Sequence, residues 1–192
     1  MASATGPTPR DTLIATLREH ALVIGEVTLT SGRTAQYYVD VKRAILLPAG
    51  FNSLAALIAT EAQRLGATAV GGTTMGADPI ACAALAGGAD VKAFFVRKER
   101  KEHGLQRWVE GPLLDDGERC LVVEDVVTTG GSTMHALERL RDEGREVVGV
   151  VSVLDRLAGG AETIEQAAGA PYVALTTIDD VYPERPDGHE TG

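Results

Sequence analysis

The feature that most constrains the fold of this chain is an alternation running from residue 69 to residue 175. Short apolar runs at 69–71, 91–96, 120–123, 147–154 and 172–175 are separated by helical stretches at 78–85, 133–143 and 161–168, with Gly144 closing the second of these. Strands that alternate with helices imply parallel pairing, each crossover helix returning over one face of the sheet. The expected class is therefore α/β: a central, mostly parallel, twisted sheet with helices on both faces. In such sheets ligands bind outside the carboxyl ends of the strands, so chemistry is sought there.

Upstream of the alternation, Thr8, Pro9 and Asp11 read as an N-cap, a proline at the first helical position and an acidic first turn. Leu13, Ile14, Leu17 and Ala21 then share one face of a helix. Residues 27–29 and 37–39 flank Ser31-Gly32-Arg33 and read as a β-hairpin or a pair of short strands. An Ala-rich helix is expected over 51–65, stopped by Gly66. The 192 residues suit a single domain spanning 1–192, with about 10–45 forming a small helix-and-hairpin hood. The polar stretch of about 183–192 is expected to be a flexible tail.

A formal charge of −9 argues against a nucleic-acid partner, which calls for a basic face. The first residues lack a charged flank followed by an apolar core, and no apolar run approaches membrane-spanning length, so a cytoplasmic protein with no membrane partner is expected. Cys82 and Cys120 lie in or beside apolar segments without metal-binding spacing and are expected to be buried free thiols. His20, His135 and His189 are scattered and read as surface or helix histidines.

Residues 122–134 read Val-Val-Glu-Asp-Val-Val-Thr-Thr-Gly-Gly-Ser-Thr-Met. An apolar strand is expected to stop at Glu124 and Asp125, whose carboxylates can accept hydrogen bonds from vicinal hydroxyls. Beyond them Thr128, Thr129, Gly130, Gly131 and Ser132 offer backbone N–H groups and hydroxyls to a phosphate, with the positive end of a helix behind. Diol acceptors beside a phosphate loop point to ribose 5-phosphate. The bland alternative is a strand-to-helix turn with an acidic rim.

A second segment, residues 94–111, passes from apolar residues into Arg97, Lys98, Arg100 and Lys101 with His103 close behind, against Glu99 and Glu102. Its sign opposes that of the whole chain. Fixed cations stabilise negative charge that builds on a leaving pyrophosphate, although a charge run can equally be a solvated loop. Other phosphate motifs fail: residues 71–76 have Walker A glycine spacing without the Lys-Ser/Thr pair, and neither Gly-x-Gly-x-x-Gly nor Gly-x-Ser-x-Gly occurs.

The first segment resembles the signature of type I phosphoribosyltransferases, which bind 5-phospho-α-D-ribose 1-diphosphate (PRPP). The second, Arg-Lys-x-x-Lys-x-His-Gly, is similar to the mobile catalytic loop of the orotate phosphoribosyltransferases and lies one strand upstream, as in that family. Thr28 to Arg33, Tyr37 to Asp40 and Leu154-Asp155-Arg156 extend the resemblance over roughly residues 10 to 180.

The resemblance implies transfer of phosphoribose from PRPP to orotate. Glu124, Asp125, Val126, Val127, Thr128, Thr129, Gly130, Gly131 and Ser132 would hold PRPP, with Asp125 also steadying positive charge on the ribose. Arg97, Lys98, Lys101 and His103 would bind pyrophosphate, the loop reaching largely into the neighbouring subunit's site of a homodimer while Lys98 serves its own. Thr128 and Arg156 would contact orotate, Arg156 by pairing with its carboxylate, while Tyr37 and Tyr38 would cover the base or serve as hairpin core. Mg²⁺ is implied as cofactor, held through PRPP and water with no direct protein ligand.

The chain departs from the family pattern at Thr30 and at Met75-Gly76, where many members carry a lysine and a Tyr-Lys pair. Lys42 and Arg43 are the nearby candidates to supply the missing charge. A purine-type phosphoribosyltransferase would share the ribose cradle without needing the basic loop or Arg156. A PRPP-sensing regulator would need a nucleic-acid surface that this acidic chain does not offer.

Overall fold

The computed structural model describes residues 6–28, 34–99 and 108–186. The first helix, α1 (Pro9–His20), begins as expected. The Thr8 hydroxyl accepts from the Asp11 N–H and the Asp11 carboxylate accepts from the Thr8 N–H, satisfying two otherwise orphaned donors. The apolar face buries Leu13 and Leu17. Two antiparallel strands follow, β1 (Leu22–Thr28) and β2 (Thr34–Val39), so the first begins five residues earlier than its apolar run at 27–29 suggests. Residues 29–33 of the hairpin turn lie outside the described residues.

After a short helix α2 (Lys42–Ile45) comes α3 (Pro48–Arg64), which starts at Pro48 rather than Phe51 because proline is well suited to a first helical position. The main sheet and its helices are β3 (Ala69–Thr73), α4 (Asp78–Ala86), β4 (Lys92–Val96), β5 (Val109–Glu110), β6 (Arg119–Val127), α5 (Gly131–Asp142), β7 (Glu146–Asp155), α6 (Gly160–Ala168), β8 (Tyr172–Thr177) and α7 (Ile178–Val181).

The six strands lie in the order β5-β4-β3-β6-β7-β8. All pairs are parallel except β4 with β5, whose two residues cap the edge antiparallel. Successive side chains of a strand face opposite sides, and β6 divides its residues accordingly. Leu121 and Val123 join a core with α1, α3 and α4, while Cys120 and Val122 join a second core with Ala136, Leu137 and Leu140 of α5 and Ile164 of α6. Helices therefore cover both faces.

The strand order reverses between β3 and β6. From β3 the chain passes through α4 to β4 on one side; from β6 it passes through α5 to β7 on the other. The loops leaving these two strands diverge at their carboxyl ends and open a crevice, the place where such sheets take their ligands.

At the chain's end, Arg185 donates to the Asp179 carboxylate, and residues 187–192 lie outside the described residues. Cys120 is buried as expected, and burial pushes its thiol up to about 12. Cys82 is instead exposed: α4 buries Ile80, Ala81, Ala83 and Ala84, and Cys82 is the position turned away. Among the described residues, no helix is long and apolar enough to cross a membrane.

Candidate active site

Strand β6 does not stop at the acidic pair. Its neighbour β7 continues alongside, pairing Glu124 with Ser152 and Val127 with Asp155, so both carboxylates lie within the ladder. Glu124 is consequently 4% exposed. Its carboxylate accepts from the Thr133 hydroxyl at 3.2 Å and from the Asp125 N–H at 3.3 Å. Burial, and then the negative charge of Asp125, push the Glu124 carboxyl up to about 7. Asp125 is half-buried, with Oδ1 accepting from the Val126 N–H at 2.9 Å.

The small-residue loop expected to take a phosphate follows directly. Gly130 has φ +87°, a left-handed conformation that other residues rarely adopt, and a Cβ there would come 2.9 Å from Ile164. This turn starts α5 at Gly131, two residues earlier than expected, and leaves Thr128, Thr129, Gly131 and Ser132 exposed around a cleft of about 270 Å³ that Glu124 also lines. The Thr73 hydroxyl at the end of β3 donates to the Ser132 carbonyl at 2.9 Å, tying the two sides of the crevice together.

Arg97 and Lys98 leave the carboxyl end of β4 and, with Thr74, Met75 and Glu99, line a hollow of about 350 Å³. Lys101 and His103 lie outside the described residues. The loop after β3 approaches the acidic pair closely: a Cβ on Gly76 would stand 2.5 Å from Asp125 Oδ1, so a side chain at 76 would displace that carboxylate. The charge reaches Asp125 from the hood instead. Lys42 Nζ lies 3.2 Å from Asp125 Oδ2 and 2.9 Å from Asp40 Oδ1. Burial alone would lower the Lys42 pKa, but Asp40 and Asp125 outweigh it and push it up to about 12. Arg43 is exposed.

Arg156 follows β7 directly, and its N–H donates to the Val127 carbonyl. The guanidinium donates to the Tyr37 hydroxyl at 2.7 Å and sits 4.8 Å over the Tyr37 ring. Tyr37 is buried and packs edge-on against Tyr182, whereas Tyr38 is exposed. Beneath Arg156, buried Asp155 accepts from the Leu157 N–H at 2.7 Å and from the Tyr172 hydroxyl at 2.9 Å, and Tyr172 in turn meets Ser152 at 2.6 Å. These bonds fix the turn on which Arg156 sits, with Leu157 held at φ +56°.

Four neighbouring strand ends thus carry two cations, a small-residue loop, an acidic pair and an arginine. A larger hollow of about 690 Å³ at the opposite ends of the strands is lined by residues such as Ala56, Ala59, Gly87 and Gly88 and brings together no comparable set of groups.

Residues 58–169 match the family model described as a phosphoribosyl transferase domain. The orotate phosphoribosyltransferase of Corynebacterium glutamicum (strain R) is 48% identical over 166 residues, covering 86% of this chain and 89% of that protein. The chain belongs to the orotate phosphoribosyltransferases. The Sorangium cellulosum member of the family is 43% identical over 195 residues, covering 97% of this chain and all of that one. The solved orotate phosphoribosyltransferase of Mycobacterium tuberculosis H37Rv in complex with PRPP superimposes with a TM-score of 0.77 at 37% identity, over 90% of this chain and 98% of that one. An adenine phosphoribosyltransferase from Leishmania donovani, at 16% identity and TM-score 0.70, shares the fold alone.

The loop lies between β6 and α5 as the sequence suggests, but the acidic pair lies within β6 rather than at its end. Lys42, one of the two cations named from the sequence as candidates to supply charge here, reaches Asp125 across 83 positions. Two contributors were missed: Tyr172 and His135, which brace site residues from other elements and carry no sequence signal.

Proposed function

We propose a division of labour for the reaction of this family, the transfer of the 5-phosphoribosyl group from PRPP to orotate, giving orotidine 5′-monophosphate and pyrophosphate in pyrimidine synthesis. The observation that carries it is that β6 leads from the acidic pair straight into the small-residue loop and the start of α5, at the point where the sheet order reverses. The 5-phosphate is taken by the exposed N–H groups and hydroxyls of residues 128–132 at the start of α5. Glu124 and Asp125 accept from the ribose hydroxyls, and Asp125 lies where it can steady positive charge as the anomeric carbon loses its diphosphate.

Arg97 and Lys98, with Lys101 and His103, are assigned to the diphosphate. Their fixed charges oppose negative charge that grows as the bond breaks, so their contribution is greatest in the transition state. Arg156 and Thr128 are assigned to orotate. A guanidinium stacked on Tyr37 and tied to its hydroxyl is already aimed, so it can pair with a carboxylate at little further cost in side-chain freedom. Tyr38 is assigned to cover the base. The working unit is taken to be a homodimer whose subunits lend each other Arg97, Lys101 and His103 while Lys98 serves its own subunit, and the cytosol is taken as its compartment.

Mg²⁺ is the expected cofactor. The crevice offers it hard oxygen donors, the Asp125 and Glu124 carboxylates and the loop hydroxyls, which suit this ion. Those carboxylates would hold it through water and substrate oxygens, and when bound it neutralises the diphosphate. The test is pyrophosphate release from PRPP dependent on orotate. Asp125→Asn should lower kcat about a hundredfold or more; a normal rate in that variant would contradict the assignment.

A further inference from the structure

Helix α5 starts at the phosphate loop and carries His135 one turn further on. The ring Nε2 lies 2.9 Å from the carbonyl oxygen of Arg97, and since a carbonyl can only accept, Nε2 carries the proton. The same imidazole packs edge-on against Trp108, with ring centroids 5.6 Å apart at 76°. Arg139, one turn further along α5, sits 4.6 Å over the indole. Arg97 and Trp108 are themselves joined, the Arg97 N–H donating to the Trp108 carbonyl at 2.9 Å. The two backbone positions that flank the basic segment therefore meet and are clamped together onto the helix that opens at the phosphate loop.

We propose that His135 is a positioning residue for the diphosphate end of the site, fixing the Arg97 carbonyl and, through the peptide that follows it, Lys98, the cation assigned to its own subunit's diphosphate, relative to the N-terminus of α5. PRPP carries a phosphate at each end of its ribose, so its reacting carbon is placed only if both anchors keep a constant separation. One anchor is the start of α5. His135 ties the other to the same rigid helix. Misplacement of a reacting centre by about 1 Å can cost on the order of a hundredfold in rate, so loss of this tie is felt in turnover. The inference rests on the assignment of Lys98 to the diphosphate in its own subunit.

The test compares His135→Leu, which removes the donor, with His135→Gln, whose amide can donate to the same carbonyl. His135→Leu should lower kcat by about tenfold or more while leaving the KM for orotate unchanged, and His135→Gln should recover most of the loss. A merely structural role would move both KM values and the melting temperature together. Should His135→Leu fail to fold, His135→Asn, too short to reach the carbonyl, replaces it. In a Lys98→Ala background the His135 effect should shrink, because the two act through one contact. Normal kcat in the donor-deleted variant, or a His135→Gln enzyme as slow as it, would overturn the inference and leave the diphosphate assignment standing. Normal kinetics in Lys98→Ala would overturn that assignment and the inference with it.

Discussion

Replacing Glu124 with Gln tests the cost of holding a carboxylate in the ladder of β6. The side chain is 4% exposed, beside Asp125, and ionises near 7 in the fold against 4.5 for the free group. Below about pH 4.5 both the folded and unfolded chains carry the proton, and Glu124 costs nothing. As pH rises the unfolded chain releases its proton first, so stability drains away until the folded group also ionises near 7, and the full cost persists above that. At about 1.4 kcal/mol for each pH unit between the two values, the ceiling lies between about 3 and 4 kcal/mol, less whatever Thr133 and the loop recover by relaxing.

The Gln variant escapes this cost and keeps a hydrogen-bonding group for Thr133 and the Asp125 N–H. Its melting temperature without ligand should therefore exceed that of the wild type at pH 8 by up to roughly 7–14 °C, at about 2–4 °C per kcal/mol for a chain of this size, with the gap closing at pH 4. Thermal melts at the two pH values measure it. The same variant should bind PRPP less well at pH 8, because an amide is a weaker acceptor of the ribose hydroxyls than a carboxylate. A melting difference that is the same at pH 4 and pH 8 would refute the argument that burial raises this carboxyl.

Arg156→Ala should weaken orotate binding by roughly 1.5–3 kcal/mol, the range for a hydrogen bond to a charged group, and leave PRPP binding nearly unchanged; KM values for the two substrates check it. Lys42→Met should raise the KM for PRPP and lower kcat, because Asp125 loses the ammonium 3.2 Å away, and Lys42→Arg should recover part of both. Lys101→Ala and Asp125→Ala, each inactive alone, should regain activity when mixed and allowed to exchange subunits, and no recovery after verified heterodimer formation would contradict shared sites.

What the sequence made legible follows how far each interaction reaches along the chain. The sheet and its helices are written in local periodicity, and the loop after β6 is a continuous segment whose glycines and hydroxyls stand together in the sequence. The end of β6 was misread because Glu124 and Asp125 look like a polar stop; only β7 alongside keeps them in the ladder. Short elements such as α2, β5 and α7 carry too few residues to show a period. The partners of the site residues were illegible for a different reason. Arg156 and Tyr37 are 119 positions apart, and His135 meets Arg97 across 38, so only the folded chain brings them together. The absence of a side chain at Gly76 looked like a lost cation, whereas the space is filled by the Asp125 carboxylate that Lys42 holds.

The central claim is that this crevice joins phosphoribose to orotate and to no other base. Its most direct measurement is the loss of orotate absorbance on adding PRPP and magnesium, run beside hypoxanthine, guanine, adenine and uracil. Consumption of orotate alone, with pyrophosphate formed in equal amount, is the predicted result; turnover of a purine in preference to orotate would contradict it.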